Sequence, residues 1–224
     1  MKNVIKTSLA DQIYTILRED IINQRIKCGE KLTLKTLQER FGTSSTPIRE
    51  AIKRLNQEGL IENVTNVGAK VINIKANDIK EIYDFCSVLD VAALKMALEN
   101  EKIDNMIQEL DDAIKYQEIS LKNSNINNFK IYSDKFHDVL YKYANNSRLY
   151  DASIKIRSQF TKLANKYQNN KSAETTVLAE HKNILEAIKN KEIEKASSLM
   201  MQHFEHGKCY LLKSIEEGAY NISK

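Results

Sequence analysis

Four histidines, His137, His181, His203 and His206, are the side chains of this 224-residue sequence that titrate nearest neutral pH, and all lie in its second half. Three of them fall on or beside apolar helical stripes. His137 borders the stripe Phe129, Tyr132, Phe136, Leu140 and Tyr143; His181 sits among Leu178, Ile184, Leu185 and Ile188; His203 follows Leu199 and Met200. Imidazoles projected inward from three different helices can bind a divalent transition metal such as zinc or nickel, leaving positions open for water or a chelating ligand. Three separate histidines, each hydrogen-bonded at a helix boundary, fit the same pattern. Spacing this long does not choose between them.

A second group suits an anionic polymer. Ser44, Ser45 and Thr46 open a helix, where hydroxyls and free N–H groups can meet a phosphate. Arg49, one turn in, can reach a guanine edge or a phosphate, and Lys53 and Arg54 follow. Ile48, Ala51, Ile52 and Leu55 form the opposite stripe that docks this helix on its neighbours. A solvated amphipathic helix carries the same local pattern, so the surrounding elements must decide.

Those elements are legible. Apolar positions Ile13, Ile16, Leu17, Ile21 and Ile22 predict a helix from Ser8 to about Asn23, which "KCGEKL" ends. A short helix follows from Thr33 to Phe41 and stops at Gly42; the next starts at Ser44 or Ser45, carries Pro47 in its first turn and closes at Gly59. "LIENV" and "AKVINI" around "TNVG" read as a β-hairpin with glycine at its turn. Three helices and a hairpin describe a winged helix, here residues 1–74. From there to residue 224 the pattern is helix after helix, at 77–99, 103–122, 126–143, 147–168, 174–189 and 191–215, separated by polar breaks such as "NSNIN" and "QNNKS". The expected fold is mostly α: an N-terminal winged helix-turn-helix, residues 1–74, followed by an all-α helical bundle, residues 75–224.

Charge agrees with this division. Residues 1–74 hold twelve Lys/Arg against eight Asp/Glu, so the whole net charge of +4 is N-terminal, as expected for a nucleic-acid partner. No window approaches the roughly eighteen consecutive apolar residues of a membrane span, and "MKNVIKTSLA" lacks the apolar run of a secretory signal, so a cytoplasmic protein without a membrane role is expected. Three widely spaced cysteines, Cys28, Cys86 and Cys209, suit neither a disulfide framework nor a thiolate metal site.

The run "GEKLTLKTLQERFGTSSTPIREAIKRLNQEGLIENVTNVGAKV" resembles the DNA-binding domain of the GntR family of bacterial regulators, and the likeness extends over residues 8–74. The resemblance implies that Arg49 is the recognition-helix arginine, that Thr46 contacts phosphate or base, that Lys35 occupies a DNA-facing position and that Gly68 is the wing-tip glycine. Ser45 stands where the family usually has arginine, so one bidentate guanine contact is missing. "FH" at 136–137, "EHKNILEAI" at 180–188 and "ASSLMMQH" at 196–203 resemble the metal-ligand segments of the FCD effector domain of the FadR branch. That likeness implies a metal held by His137, His181 and His203 and a small organic acid beside it. The aspartate usual one turn before the first histidine is Ser133 here; Asp134 is displaced by one residue, about 100° around the helix, and is the candidate fourth ligand. The family arginine that meets an effector carboxylate is Cys86, which leaves Arg157 as a substitute.

The function expected is a homodimeric transcription regulator, not an enzyme, whose affinity for double-stranded operator DNA responds to metal or a small molecule in the helical domain. Two alternatives are a helical metallohydrolase tethered by a DNA-binding domain and a DNA-binding dimer with a vestigial pocket.

Overall fold

A computed structural model describes residues 8–64, 68–72, 76–167 and 171–216 of the chain. The hairpin turn at 65–67, the expected domain boundary at 74/75 and the first three residues of the "QNNKS" break lie outside these residues. The chain forms two compact units, one of Met1–Ile74 with Ile154–Lys166, the other of Lys75–Ser153 with Tyr167–Lys224. The expected division at residue 74 is therefore joined by an excursion, Ile154–Lys166, that clusters with the first unit. Periodicity identifies that segment as helical but does not say which core it meets.

In the first unit the elements run α1 (Leu9–Ile22), β1 (Lys31–Leu32), α2 (Leu34–Phe41), α3 (Ser45–Gln57), β2 (Ile61–Val64) and β3 (Gly68–Val71). Ser8 and Asp11 close a capping box that fixes where α1 begins. Thr33 accepts the Thr36 N–H to start α2, and Gly42, at φ +60°, ends it in a left-handed turn that glycine adopts without strain. The strands form an antiparallel sheet in the order β1-β3-β2, with Leu32 opposite Ala69 and Ile61 opposite Val71. Strand β1 was not expected from the sequence. Two residues are too few to show alternation, and only pairing with β3 defines them.

Ile13, Leu17 and Ile21 of α1, Leu37 of α2, and Ile48, Ala51 and Leu55 of α3 pack with Leu60, Ile61 and Val71 into one core. Leu55 has no solvent exposure. Leu55→Ala is expected to cost about 2–5 kcal/mol, because the cavity adds to the lost burial. Urea denaturation followed by circular dichroism measures it; a loss under 1 kcal/mol would mean the site collapses freely.

The second unit contains α4 (Ala76–Leu98), α5 (Ile103–Lys122), α6 (Ile126–Ala144), α8 (Lys171–Lys189) and α9 (Ile193–Glu216); α7 (Ser147–Tyr167) contributes residues to both units. Asn125 caps α6 by accepting the Asn128 N–H, and Asn145 ends that helix at φ 49°. Tyr83, Phe129, Phe136, Leu140, Ile184 and Met200 are buried within the bundle. Among the described residues no helix is long and apolar enough to cross a membrane.

Candidate functional site

Helix α3 divides its residues by job. Ile48, Ala51 and Leu55 are buried without exposure. Thr46, Arg49 and Lys53, spaced to share the other face, are exposed. Ser44, the N-cap, is exposed and makes no side-chain capping bond, so its hydroxyl and the first N–H groups of α3 remain open to a phosphate. Ser45 is half-buried, Lys35 is exposed on α2, and Gly68 is exposed at the start of β3 with φ +90°. Among the described residues no carboxylate pairs with Lys35, Arg49 or Lys53.

Arg54 is different. The sequence places it in line with the other cations, yet its guanidinium pairs with Asp11 and lies 3.8 Å from the centroid of the Tyr14 ring. Hydrogen bonds from Ser8 and then Arg54 hold the Asp11 carboxyl below its ordinary range. Glu58, at the end of α3, accepts from the Tyr14 hydroxyl and from Arg18. Burial, reinforced by Glu58, pushes the Tyr14 hydroxyl up to about 12. Arg54 thus ties α3 to α1 rather than standing with Lys53 and Arg49. One residue is about 100° on a helix, enough to turn Arg54 away from the Lys53 face.

In the second unit, His137 of α6, His181 of α8 and His203 of α9 come together, with possible ligand atoms all within 4.8 Å of one another. Their relative exposures are 7%, 0% and 7%. Each ring is held through Nδ1. Asp90 Oδ2 lies 2.5 Å from His137 Nδ1, and the Tyr141 hydroxyl donates to the other oxygen at 2.8 Å. Gln117 Oε1 is 2.9 Å from His181 Nδ1, while the Gln117 amide nitrogen donates to the Tyr132 carbonyl. Glu180 receives His203 Nδ1 and His206 Nδ1, each at 2.7 Å.

These partners settle the tautomers. A carboxylate, or an amide oxygen whose nitrogen is committed elsewhere, can only accept, so each Nδ1 carries a proton. His181 Nε2 is buried and has no hydrogen-bond partner. Burial, with the neighbouring histidines adding to it, lowers the His181 pKa far below its ordinary value; burial likewise lowers His203 despite Glu180. Burial alone would raise Glu180, but hydrogen bonds from His203 and His206 hold it low and ionised. Three clustered imidazoles, each oriented through its Nδ1–H and with His181 and His203 held neutral by burial, form a donor set that fits a divalent transition metal.

Asp134 is not in the converging group. It is half-buried, and its charge acts on Lys130, one turn earlier on α6. Arg157 is half-buried in the Ile154–Lys166 segment of the first unit, whereas the three histidines belong to the second. Asp90, Gln117 and Glu180 were not anticipated as site residues. Asp90 carried a usable signal, a carboxylate on the otherwise apolar stripe Ile79, Ile82, Tyr83, Cys86, Leu89 and Ala93.

Residues 9–71 match the family described as bacterial regulatory proteins, gntR family, and residues 81–206 match the FCD domain. The chain is 29% identical to the HTH-type transcriptional regulator YdhC of Bacillus subtilis (strain 168), over 94% of each chain. It is 24% identical to the HTH-type transcriptional repressor RspR of Escherichia coli (strain K12), over 87% of this chain and 85% of the relative. Identity to the gluconate operon transcriptional repressor of Bacillus subtilis (strain 168) is 25%, over 89% of this chain and 84% of that protein. Among solved structures, E. coli McbR/YncC has the same fold, with a TM-score of 0.79 at 19% identity, over 94% of this chain and 100% of that one.

Proposed function

Because the chain belongs to the gntR family of bacterial regulatory proteins and carries an FCD domain, and is thus a DNA-binding transcriptional regulator rather than an enzyme, we propose that occupancy of its three-histidine centre sets its affinity for operator DNA. The observation that carries this reading is the common arrangement of His137, His181 and His203, each anchored at Nδ1 and with possible ligand atoms within 4.8 Å of one another. These three side chains hold zinc or nickel, and Asp90, Gln117 and Glu180 orient them. A metal held there would supply a Lewis acid suited to the carboxylate of a small organic acid. The gluconate operon repressor among the relatives is named for a gene set of that chemical class. Placement in the FadR branch belongs to the same reading.

On the DNA side, Arg49 reads a base edge or grips a phosphate. Ser44, Ser45, Thr46 and Lys53 serve phosphates along α3, while Lys35 and the glycine at Gly68 bring α2 and the wing to the backbone. The protein acts as a homodimer, since two such readers on a palindrome double the contacts and fix the half-site spacing. Effector control then requires that the ligand favour one arrangement of the two readers.

The test uses an operator selected from a random duplex library. Native mass spectrometry of the purified protein is expected to show a dimer with one metal per subunit. Removing the metal with a chelator is expected to change the operator Kd at least fivefold, and restoring zinc to reverse the change. A metal-free dimer whose Kd does not respond to zinc would favour the vestigial pocket instead.

A further inference from the structure

Among the described residues, two buried side-chain atoms lack any hydrogen-bond partner: Nε2 of His181 and Oε1 of Glu174. Both belong to α8. Glu174 is 3% exposed. Native interiors seldom leave buried polar atoms unpaired, so each implies an occupant. They are seven residues apart, two turns of helix, which puts them on one face about 10.5 Å apart along the axis.

Helix α6 runs beside this face in the same direction. His137 meets His181 with ring centroids 5.1 Å apart, and seven residues before His137, Lys130 interacts electrostatically with Glu174, seven before His181. The titratable groups at this far end are therefore Glu174, Lys130 and Asp134, the last acting on Lys130. Burial pushes the Glu174 carboxyl up to about 7, and Lys130 opposes that rise. In the ionised form, its buried Oε1 is an acceptor without a donor.

We propose that one ligand completes both orphaned positions: a linear acid of about five or six carbons, its carboxylate at the histidine end and its far end donating a hydrogen bond, from a hydroxyl or an ammonium, to Glu174. The inference rests on the reading of the histidines as a metal centre and goes beyond it by naming the residue that selects the ligand. An acid with no donor at its far end leaves Glu174 unpaired and is rejected for that reason, the discrimination characteristic of sites built around buried polar groups.

Calorimetry on the zinc-loaded full-length protein tests this with D-gluconate, 6-aminohexanoate and hexanoate, six-carbon acids with hydroxyls, a terminal ammonium or neither. At least one donor-bearing acid is expected to bind tenfold or more tighter than hexanoate, and the better of the two identifies the donor. Glu174→Leu is expected to erase that preference while zinc per subunit stays unchanged. Equal binding of all three acids, binding of none, or a preference that survives in Glu174→Leu would overturn the proposal. The wild-type comparison decides the matter should the variant not fold. Zinc content on the same samples separates the two readings: donor preference retained in a protein that takes up no zinc sinks the metal centre and spares Glu174.

Discussion

Arg49→Ala is expected to weaken operator binding by about 1–3 kcal/mol at matched salt, roughly five- to 150-fold, without altering the fold. The size follows from what surrounds the side chain. Arg49 is exposed one turn into α3 and meets no carboxylate among the described residues, so its guanidinium is not already spent on an intramolecular pair. The opposite face of the helix is locked by Ile48, Ala51 and Leu55, and Arg54 and Glu58 tie α3 to α1. Rigid placement means that little ordering is left for the binding step. Ser45 cannot supply the fork of an arginine, so on the proposed reading base discrimination falls to Arg49. Fluorescence anisotropy with the selected operator measures the effect. Unchanged affinity, with an intact circular dichroism spectrum, removes Arg49 from the interface.

His181→Ala is expected to reduce bound metal to near zero, and Asp90→Asn to weaken metal affinity by about 10–100-fold. His181 is the most enclosed of the three histidines and the one whose Nε2 has no other partner. Asp90 acts through His137, because an amide at this position can offer its nitrogen to Nδ1 and invert the tautomer. Elemental analysis after dialysis reads both variants. Acidification acts in the same direction. The folded-state pKa values of His181 and His203 lie below the ordinary value of about 6.5, so below that pH the unfolded chain binds more protons than the folded one. Stability of the metal-free protein is therefore fully present above about pH 6.5 and declines as pH falls, until the folded values are reached. Protons also compete with metal for Nε2 across that window. A metal-free protein whose melting temperature is the same at pH 8 and pH 5.5 would contradict the burial of neutral imidazoles.

Much of the molecule was legible in one dimension because helices and caps are local. The Ser8 capping box, the Thr33 cap and the left-handed Gly42 appear where short-range chemistry puts them, and the bundle helices follow the apolar period to within a few residues. The two faces of α3 were readable for the same reason, since residues three and four apart on a helix must share a side. Strand β1 was not readable, because a two-residue strand exists only through its partner.

The histidine centre divides along the same line. Its three ligand candidates could be picked from the sequence by residue type and by resemblance, but not shown to meet, for they are 44 and 22 residues apart on separate helices. Packing decided that, and it decided the supporting groups as well. Asp90, Gln117 and Glu180 come from α4, α5 and α8, and no spacing rule joins an aspartate at 90 to a histidine at 137. Asp134, adjacent in sequence to the expected position, lies outside the histidine cluster and acts electrostatically on Lys130, and Arg54, adjacent to Lys53 on α3, pairs with Asp11 of α1. Composition, periodicity and local capping determined which segments become helices and which faces they bury. Only the tertiary structure decided which polar side chains share a buried space, because the cost of burying a charge or an unpaired nitrogen is set by neighbours that the chain brings from far away.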